Sequence, residues 1–345
     1  MAEQLPKTIG WVGLGLMGYP MAKNLVDKMD RDVHFYVFDV IEENVSKFVN
    51  EDEKRVSSKE VADKSDLILS MVPEGSHVKA VYLEDGKGVL ASELGKKILI
   101  DCSTIDTASS LAVRDACADR HPQASFYDAP VSGGVIGAEK GSLTFMLGCA
   151  EDDVNKSLLE SILGLMGGNI FACGGASLGL VSKLCNNYCS GLIAIAVSEA
   201  LNIGIRSGMD PRVLANIWHT STAQSSICDD WNPVPGLCPD APASKGYKGG
   251  FRVQLMKKDF GLAVDTAERV GAKLALGREG LALYEAASQA ENCKDLDSRV
   301  IYRYLEGIED WNKDKRFADN IPMKKDETKR LLKKAREEAS LPEQK

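Results

Sequence analysis

The chain has 345 residues, 44% of them hydrophobic and 27% charged, with a formal net charge of −8. This composition is typical of a soluble globular protein, and the length predicts two domains of ordinary size. The acidic balance argues against nucleic acid as the main partner, because duplex binding needs clustered Lys and Arg, and we expect no membrane partner, because no apolar run approaches the ~18 residues that span a bilayer.

Nine cysteines are scattered along the chain without a CxxC pair. Without such a pair or a secretory signal, the cysteines are predicted to be reduced intracellular thiols. The four histidines are also spread out and supply no nearby metal partners, so no metal site is expected. The first strand is predicted almost at the N-terminus, so no presequence is expected in the chain as given.

The first half alternates short apolar runs with polar segments of helical spacing. The predicted strands are Thr8–Val12, Val33–Phe38, Leu67–Val72, Ile98–Ile100 and Leu143–Gly148. An amphipathic helix is predicted over Pro20–Met29. Such alternation is the signature of parallel βαβ units, so the expected fold class is α/β, with a Rossmann-type doubly wound parallel sheet.

The pattern changes near Gly174, and the second half is predicted to be an all-α C-terminal domain. Leu178–Arg206 is apolar, contains no proline and carries four polar interruptions, which predicts one long buried helix that is too polar to span a membrane. Helix-like segments continue to about Leu305, apart from a Pro- and Gly-rich loop at Trp231–Gly250. The expected domains are 1–174, which binds NAD, 175–318, which serves substrate binding and oligomerisation, and a charged tail over 319–345 without an assigned function.

The GLGLMG turn has the GxGxxG spacing of a dinucleotide-binding fingerprint. Gly13 permits the tight turn, Gly15 allows approach to the pyrophosphate, and Gly18 allows close packing of the helix. The turn follows a predicted strand and opens a predicted helix, which is the context that the fingerprint requires. The residues expected to contact the cofactor here are Gly13, Leu14, Gly15, Met17 and Gly18.

Asp39 ends the second predicted strand, 21 residues after Gly18. A carboxylate there accepts hydrogen bonds from the adenosine ribose and repels a 2′-phosphate, so NAD is favoured over NADP. The alternative is a surface Asp that merely ends a strand.

Three further places could line a ligand site. Ser132, Gly133 and Gly134, in DAPVSGGVIGAEKG, give a turn whose N–H groups and hydroxyl can hold a small carboxylate, although Pro, Ser and Gly also make ordinary turns. Val72–Pro73 and Ser103–Thr104 lie at the carboxyl ends of two strands, where a doubly wound sheet meets its ligand. Either pair could instead be an ordinary strand-end turn.

Lys183 is the candidate general acid/base. It stands among apolar residues in LVSKLCNN, and burial would lower the pKa of a lysine towards neutrality, where proton transfer is efficient. Asn187 follows one helical turn later and can orient a substrate oxygen or hold the lysine. The alternative is a lysine that snorkels at the domain edge. Lysine is preferred over histidine because no histidine has a recognisable carboxylate partner nearby; Lys257 or Lys258 could reach the nicotinamide, although spacing alone does not show it.

Three segments, WVGLGLMGYPMAKNL, DAPVSGGVIGAEKGSLTFMLG and SKLCNN, resemble the β-hydroxyacid dehydrogenase family. The resemblance extends from about Thr8 to residue 310. WNPVPGLCPDAPASKGYKGGF, QLMKKDFGLA and CSTID are most similar to the branch of that family that acts on 3-hydroxyisobutyrate in valine degradation.

The resemblance implies NAD-dependent oxidation of 3-hydroxyisobutyrate to methylmalonate semialdehyde, with Lys183 as the catalytic lysine. It implies that Ser132–Gly134 hold the substrate carboxylate and that Asn187 positions the substrate. The implied cofactor contacts are Val72, Pro73, His77, Thr104 and Lys258. Two departures are visible: Ser177–Gly179 replaces the usual GxG turn before the lysine, and His77 stands where relatives tend to carry Asn.

The resemblance also implies a homodimer or homotetramer in the mitochondrial matrix, with the cytoplasm as the alternative because no presequence is expected. Other substrates within the family would make the chain a reductase of tartronate semialdehyde or glyoxylate, or a dehydrogenase of serine-like 3-hydroxy acids. A non-catalytic binding module is the alternative from a different class, and Lys183 argues against it because such relatives lack the lysine.

Overall fold

The computed structural model describes residues 6–29, 32–48 and 57–317. These residues divide into a first unit, which contains those within 1–188 and 258–275, and a second unit, which contains those within 189–257 and 276–345. The predicted charged tail over 319–345 lies outside the described residues, and the predicted domain limits stay predictions.

A parallel sheet forms the centre of the first unit. Its strands are β1 (Thr8–Val12), β2 (His34–Phe38), β3 (Leu67–Ser70), β4 (Ile98–Asp101) and β5 (Ser125–Asp128). They pair in the order β2-β1-β3-β4-β5, all parallel. The chain passes from β1 to β2 on one side and then to β3 on the other, so the topological switch point lies between β1 and β3.

Helices cover this sheet because its strands are apolar on both faces. The helices are α1 (Gly18–Lys28), α2 (Glu42–Ser46), α3 (Ser58–Lys64), α4 (Gly75–Leu83) and α5 (Thr107–Arg120). Alternate side chains enter opposite cores: Trp11 and Leu69 lie in one cluster, whereas Ile68 and Leu99 lie in the other. Burial on both faces confirms the predicted doubly wound α/β class.

A smaller sheet follows in the same unit. It contains β6 (Val131–Ser132), β7 (Leu143–Leu147) and β8 (Gly167–Ala172), with α6 (Gly134–Lys140) and α7 (Lys156–Gly164) between them. β6 pairs antiparallel with β7, and β8 pairs parallel with it. Of these strands only β7 was expected from the sequence, because β6 is two residues long and β8 begins with two glycines.

The helix α8 (Leu178–Arg206) has the bounds predicted for it. Leu180, Leu184 and Leu201 belong to a buried stripe along it, although only 39% of its most apolar stretch is buried. By length and composition it is the one helix among the described residues that could cross a membrane, so the expectation that it is too polar was wrong on those criteria. A core helix of a globular protein meets the same criteria.

The second unit is helical, as predicted. Its helices are α9 (Pro211–His219), α10 (Ser226–Asp229), the first turns of α11 (Val253–Val270), α12 (Gly277–Gln289) and α13 (Ile301–Tyr304). The predicted loop is held by its own polar groups: the Tyr247 hydroxyl donates to the carbonyl oxygen of Pro233, and the Asn232 amide donates to that of Cys228. Irregular backbone is therefore anchored by these specific hydrogen bonds.

Asp101, the last residue of β4, is fully buried. Its Oδ1 accepts hydrogen bonds from the hydroxyls of Ser70 (2.7 Å) and Ser103 (2.6 Å), while its Oδ2 has no hydrogen-bond partner among the described residues. Burial raises the pKa of Asp101 to about 6, and the two serine hydroxyls oppose that rise. The carboxylate thus orders two strand ends while it carries a desolvation cost.

We expect Asp101→Asn to gain stability relative to the wild type as the pH rises. In the wild type the pKa of Asp101 is higher in the folded state than in the unfolded state. The free energy of unfolding of the wild type therefore falls as the pH rises from about 4 to about 6, by about 3 kcal/mol in total for a shift of this size. Asn keeps the accepting oxygen but cannot ionise. Thermal unfolding of both proteins at pH 5 and pH 8 checks this, and a difference in Tm that stays constant between the two pH values would contradict it.

Candidate active site

The glycine-rich turn lies at the switch point, where β1 ends between β2 and β3. Gly13 has a φ of +94°, and its N–H donates to the carbonyl oxygen of Phe38 at 2.9 Å. A Cβ on Gly13 would overlap the carbonyl oxygen of Met71, and a Cβ on Gly18 would overlap that of Gly13. A Cβ on Gly15 would meet no atom within 4 Å. The turn is therefore closely packed at two glycines and open at the third, which fits the approach of a pyrophosphate.

Asp39 follows β2 and holds this turn in place. Its Oδ2 accepts the N–H of Leu14 at 2.5 Å, and its Oδ1 accepts the N–H of Ile41 at 2.7 Å. Leu14 is buried, and Met17 packs against the core just before α1. Each carboxylate oxygen can accept a second hydrogen bond, so Asp39 can hold the turn and still bind a ribose hydroxyl.

The loops after β3 and β4 are tied together by direct hydrogen bonds. The N–H of Val72 donates to the Ser103 hydroxyl at 2.9 Å. Nζ of Lys258 donates to the carbonyl oxygens of Pro73 (3.1 Å) and Thr104 (2.6 Å). Ser103 and Lys258 thus tie together the loops after β3 and β4, which contain the predicted cofactor residues Val72, Pro73 and Thr104.

His77 and the Ser132–Gly134 turn stand apart from this network. His77 is exposed in the first turn of α4. Ser132 ends β6, while Gly133 (φ +131°) and Gly134 (φ +62°) form the turn into α6. Positive φ values at two successive positions favour glycine. No hydrogen bond among the described residues joins this turn directly to Lys183.

Lys183 and Asn187 lie on the buried stripe of α8 and are 7% and 6% exposed. The Asn187 amide donates to Oδ2 of Asp259 at 2.6 Å, and the Asn186 amide donates to Oδ1 of Asn187 at 3.1 Å. Asp259 is also buried, and its Oδ1 lies 3.2 Å from Nζ of Lys258. One carboxylate therefore links the helix that carries Lys183 to the lysine that holds the loops after β3 and β4.

The surroundings of Lys183 favour its neutral form. Burial lowers the pKa of Lys183, the negative charge of Asp259 opposes this, and the positive charge of Lys258 adds to it. An amine that can be neutral is able to accept a proton. The arrangement thus places an amine of lowered pKa one helical turn from the amide of Asn187.

Sequence reasoning gave no role to Asp259. The available signal was an acidic residue between Lys258 and Phe260 in a segment of helical spacing, but its partner Asn187 lies 72 positions away. Among the described residues, no group of three or more His, Cys, Asp and Glu side chains could hold a metal ion.

Two family models match the chain. One, described as the NAD binding domain of 6-phosphogluconate dehydrogenase, matches residues 8–175. The other, described as NAD-binding of NADP-dependent 3-hydroxyisobutyrate dehydrogenase, matches residues 177–305. Together they cover most of the chain.

Individual proteins agree with these matches. A probable mitochondrial 3-hydroxyisobutyrate dehydrogenase of Dictyostelium discoideum is 41% identical over 88% of this chain and 92% of its own length. The 3-hydroxyisobutyrate dehydrogenase of Pseudomonas aeruginosa is 39% identical over 82% of this chain and 93% of its own. The solved structure of the Mycobacterium tuberculosis enzyme with L-serine is 30% identical, with a TM-score of 0.79 over 88% of this chain and 100% of its own.

The open glycine turn at the switch point, the paired family models and relatives matched over nearly their full length lead to one conclusion. The chain belongs to the 3-hydroxyisobutyrate dehydrogenase family, as an NAD-binding oxidoreductase that acts on hydroxy acids.

Proposed function

We propose that the chain oxidises 3-hydroxyisobutyrate to methylmalonate semialdehyde with NAD, and that Lys183 is the general acid/base. One observation carries this proposal: Asp259 bonds to Asn187, one turn from Lys183, and pairs with Lys258, whose Nζ bonds to the loops after β3 and β4. In a doubly wound sheet those loops border the cofactor. The same contacts therefore support a proton acceptor beside the cofactor edge.

Each group in the proposed reaction has one task. NAD, when bound, supplies the hydride acceptor. The N–H groups and hydroxyl of Ser132–Gly134 bind the substrate carboxylate, and the Asn187 amide orients the substrate hydroxyl. As the C–H bond breaks, the hydroxyl proton passes to Nζ of neutral Lys183, and the carbon–oxygen bond becomes the aldehyde carbonyl. Burial of Lys183 assists because it lowers the pKa of the amine and so favours its neutral form.

Valine degradation, a homodimer or homotetramer, and a location in the mitochondrial matrix are parts of the same proposal. The pathway and the oligomer rest on the family resemblance of the sequence, and the location rests on relatives whose names describe them as mitochondrial, such as that of Dictyostelium discoideum. Gel filtration with light scattering tests the oligomer, and fractionation of the source cells tests the compartment.

L-serine is the second candidate substrate, because the similar Mycobacterium tuberculosis structure contains it. We expect the purified chain to reduce NAD with (S)-3-hydroxyisobutyrate more efficiently than with L-serine, D-glycerate or a 2-hydroxy acid. Absorbance of the reduced cofactor measures kcat/KM for each. A higher value for L-serine would assign the chain to serine-like substrates, and NAD binding without turnover on the whole panel would favour a non-catalytic module.

Replacing Lys183 with Ala should reduce kcat by about 10²- to 10⁴-fold, because the general base is lost. NAD affinity, measured by fluorescence titration, should stay within about twofold of the wild type. Lys183→Met should behave alike, since it keeps the apolar stem without the amine. Lys64→Ala, at an exposed position in the last turn of α3, is the matched control and should be fully active. Near-normal turnover in both Lys183 variants would remove lysine from the mechanism.

Asp39→Asn should weaken the preference for NAD over NADP. The change removes the negative charge that repels a 2′-phosphate while it keeps an oxygen for the N–H of Leu14. We expect the ratio of kcat/KM for NADP to that for NAD to rise about tenfold, which corresponds to about 1.4 kcal/mol. Asp27→Asn, exposed on α1, controls for loss of one negative charge. An unchanged ratio would assign cofactor selection to other residues.

A further inference from the structure

Asp128 is a buried carboxylate with no task in the proposed reaction. It ends β5 and is 2% exposed. Its Oδ1 accepts the N–H of Ser177 at 2.7 Å, and its Oδ2 accepts the N–H of Leu180 at 2.8 Å. These partners lie 49 and 52 positions further along the chain. A side chain from the end of the central sheet thus satisfies N–H groups at the start of α8.

Helices normally satisfy their first N–H groups with a side chain at the N-cap. The Ser177 hydroxyl, next to the start of α8, instead faces the carbonyl oxygen of Thr107 at 3.5 Å. Asp128 therefore does for α8 what a local capping residue does elsewhere. A carboxylate is well suited to this position because the helix dipole is positive at that end.

Two glycines make room for this carboxylate. A Cβ on Gly148 would overlap Oδ1 of Asp128, and a Cβ on Gly179 would lie 2.8 Å from Oδ2. The N–H of Gly148 also donates to the backbone carbonyl of Asp128 at 2.7 Å. The carboxylate is enclosed on both sides, so its position and that of the first turn of α8 are fixed together.

Ser177 shows that this contact constrains the backbone. It has a φ of +61°, a left-handed conformation that favours glycine. Its N–H is the group that Asp128 holds at 2.7 Å. In the turn before α8, where this sequence departs from the GxG of the family, Ser177 therefore adopts a backbone conformation that favours glycine while Asp128 binds its N–H.

Asp128 also opens the DAPVSGG segment, so Ser132 follows it by four residues, whereas Lys183 follows Leu180 by three. We propose that Asp128 is a positioning residue for the dehydrogenase reaction: its carboxylate fixes the start of α8 relative to the strand that leads into the Ser132–Gly134 turn, and so sets Lys183 against the bound substrate. This rests on the proposed function. Burial raises the pKa of Asp128, and the N–H donors at Ser177, Gly179 and Leu180 oppose that rise, as expected for a carboxylate that binds N–H groups.

The test is Asp128→Asn in the full chain. Asn retains one accepting oxygen and presents an NH₂ group to the second N–H, so one of the two hydrogen bonds is lost. We expect kcat to fall at least tenfold with the hydroxy acid that the wild type oxidises, while KM for NAD stays within about twofold. Hydrogen exchange followed by mass spectrometry should become at least tenfold faster for amides of residues 177–184 and should not change in α1.

Two further variants separate positioning from general loss of structure. Asp210 caps α9 through the N–H of Arg212, so Asp210→Asn should speed exchange at the start of α9 and leave kcat unchanged. Ser177→Gly removes the left-handed strain without touching the carboxylate and should keep kcat within about twofold.

Faster exchange at 177–184 with unchanged kcat in Asp128→Asn would show a structural cap only and would overturn the proposal. Unchanged exchange would show that the carboxylate does not hold the helix, which also overturns it. A wild type that oxidises none of the panel would overturn the proposed function and the positioning role with it, whereas the exchange data would still report whether Asp128 caps α8.

Discussion

Burial of an ammonium group among apolar side chains is the constraint on which the rest of the first unit depends. Lys183 lies in the stripe that packs α8 into its core, and an isolated charge there would be costly. The cost is limited by Asp259, whose carboxylate also holds Asn187 and pairs with Lys258. Burial and the positive charge of Lys258 lower the pKa of Lys183, whereas Asp259 opposes that shift, so the carboxylate that limits the cost of burial also limits the change in pKa.

The carboxyl edge of the sheet collects the other groups for a topological reason. Parallel strands all end at this edge, and the order β2-β1-β3-β4-β5 leaves a crevice where the direction of winding reverses. Gly13 fills the crevice closely between Phe38 and Met71, while Gly15 faces open space. Two buried acids at this edge then organise backbone around them: Asp101, at the end of β4, binds Ser103 in the loop that follows, and Asp128, at the end of β5, binds the start of α8.

Local patterns in the sequence were sufficient to predict much of the fold and part of the candidate site. Periodicity and the absence of proline predicted α8 with the bounds observed, and the glycine spacing identified the turn after β1. β6 was not predicted, because two residues carry no alternation. The contacts from Asp128 to Ser177 and from Asn187 to Asp259 join positions 49 and 72 apart, and no local pattern reports which distant N–H or carboxylate a side chain will meet. The polar residues of α8 led to the prediction that this segment is too polar to span a membrane, whereas its length and composition satisfy the criteria for a membrane helix.

The way the two units share the chain has a consequence for making the protein in pieces. The first unit is made of two segments of the chain. One segment ends at Tyr188, within α8, and the other begins at Lys258, within α11. A gene fragment that stops at residue 188 would encode the whole glycine turn and Lys183, yet it would omit the carboxylate that binds Asn187 and the ring of Phe260, which lies 4.7 Å from that of Tyr188. A contiguous fragment therefore lacks part of the contacts of the first unit, and a shortened version that keeps them needs a linker that brings residues 258–275 back to α8.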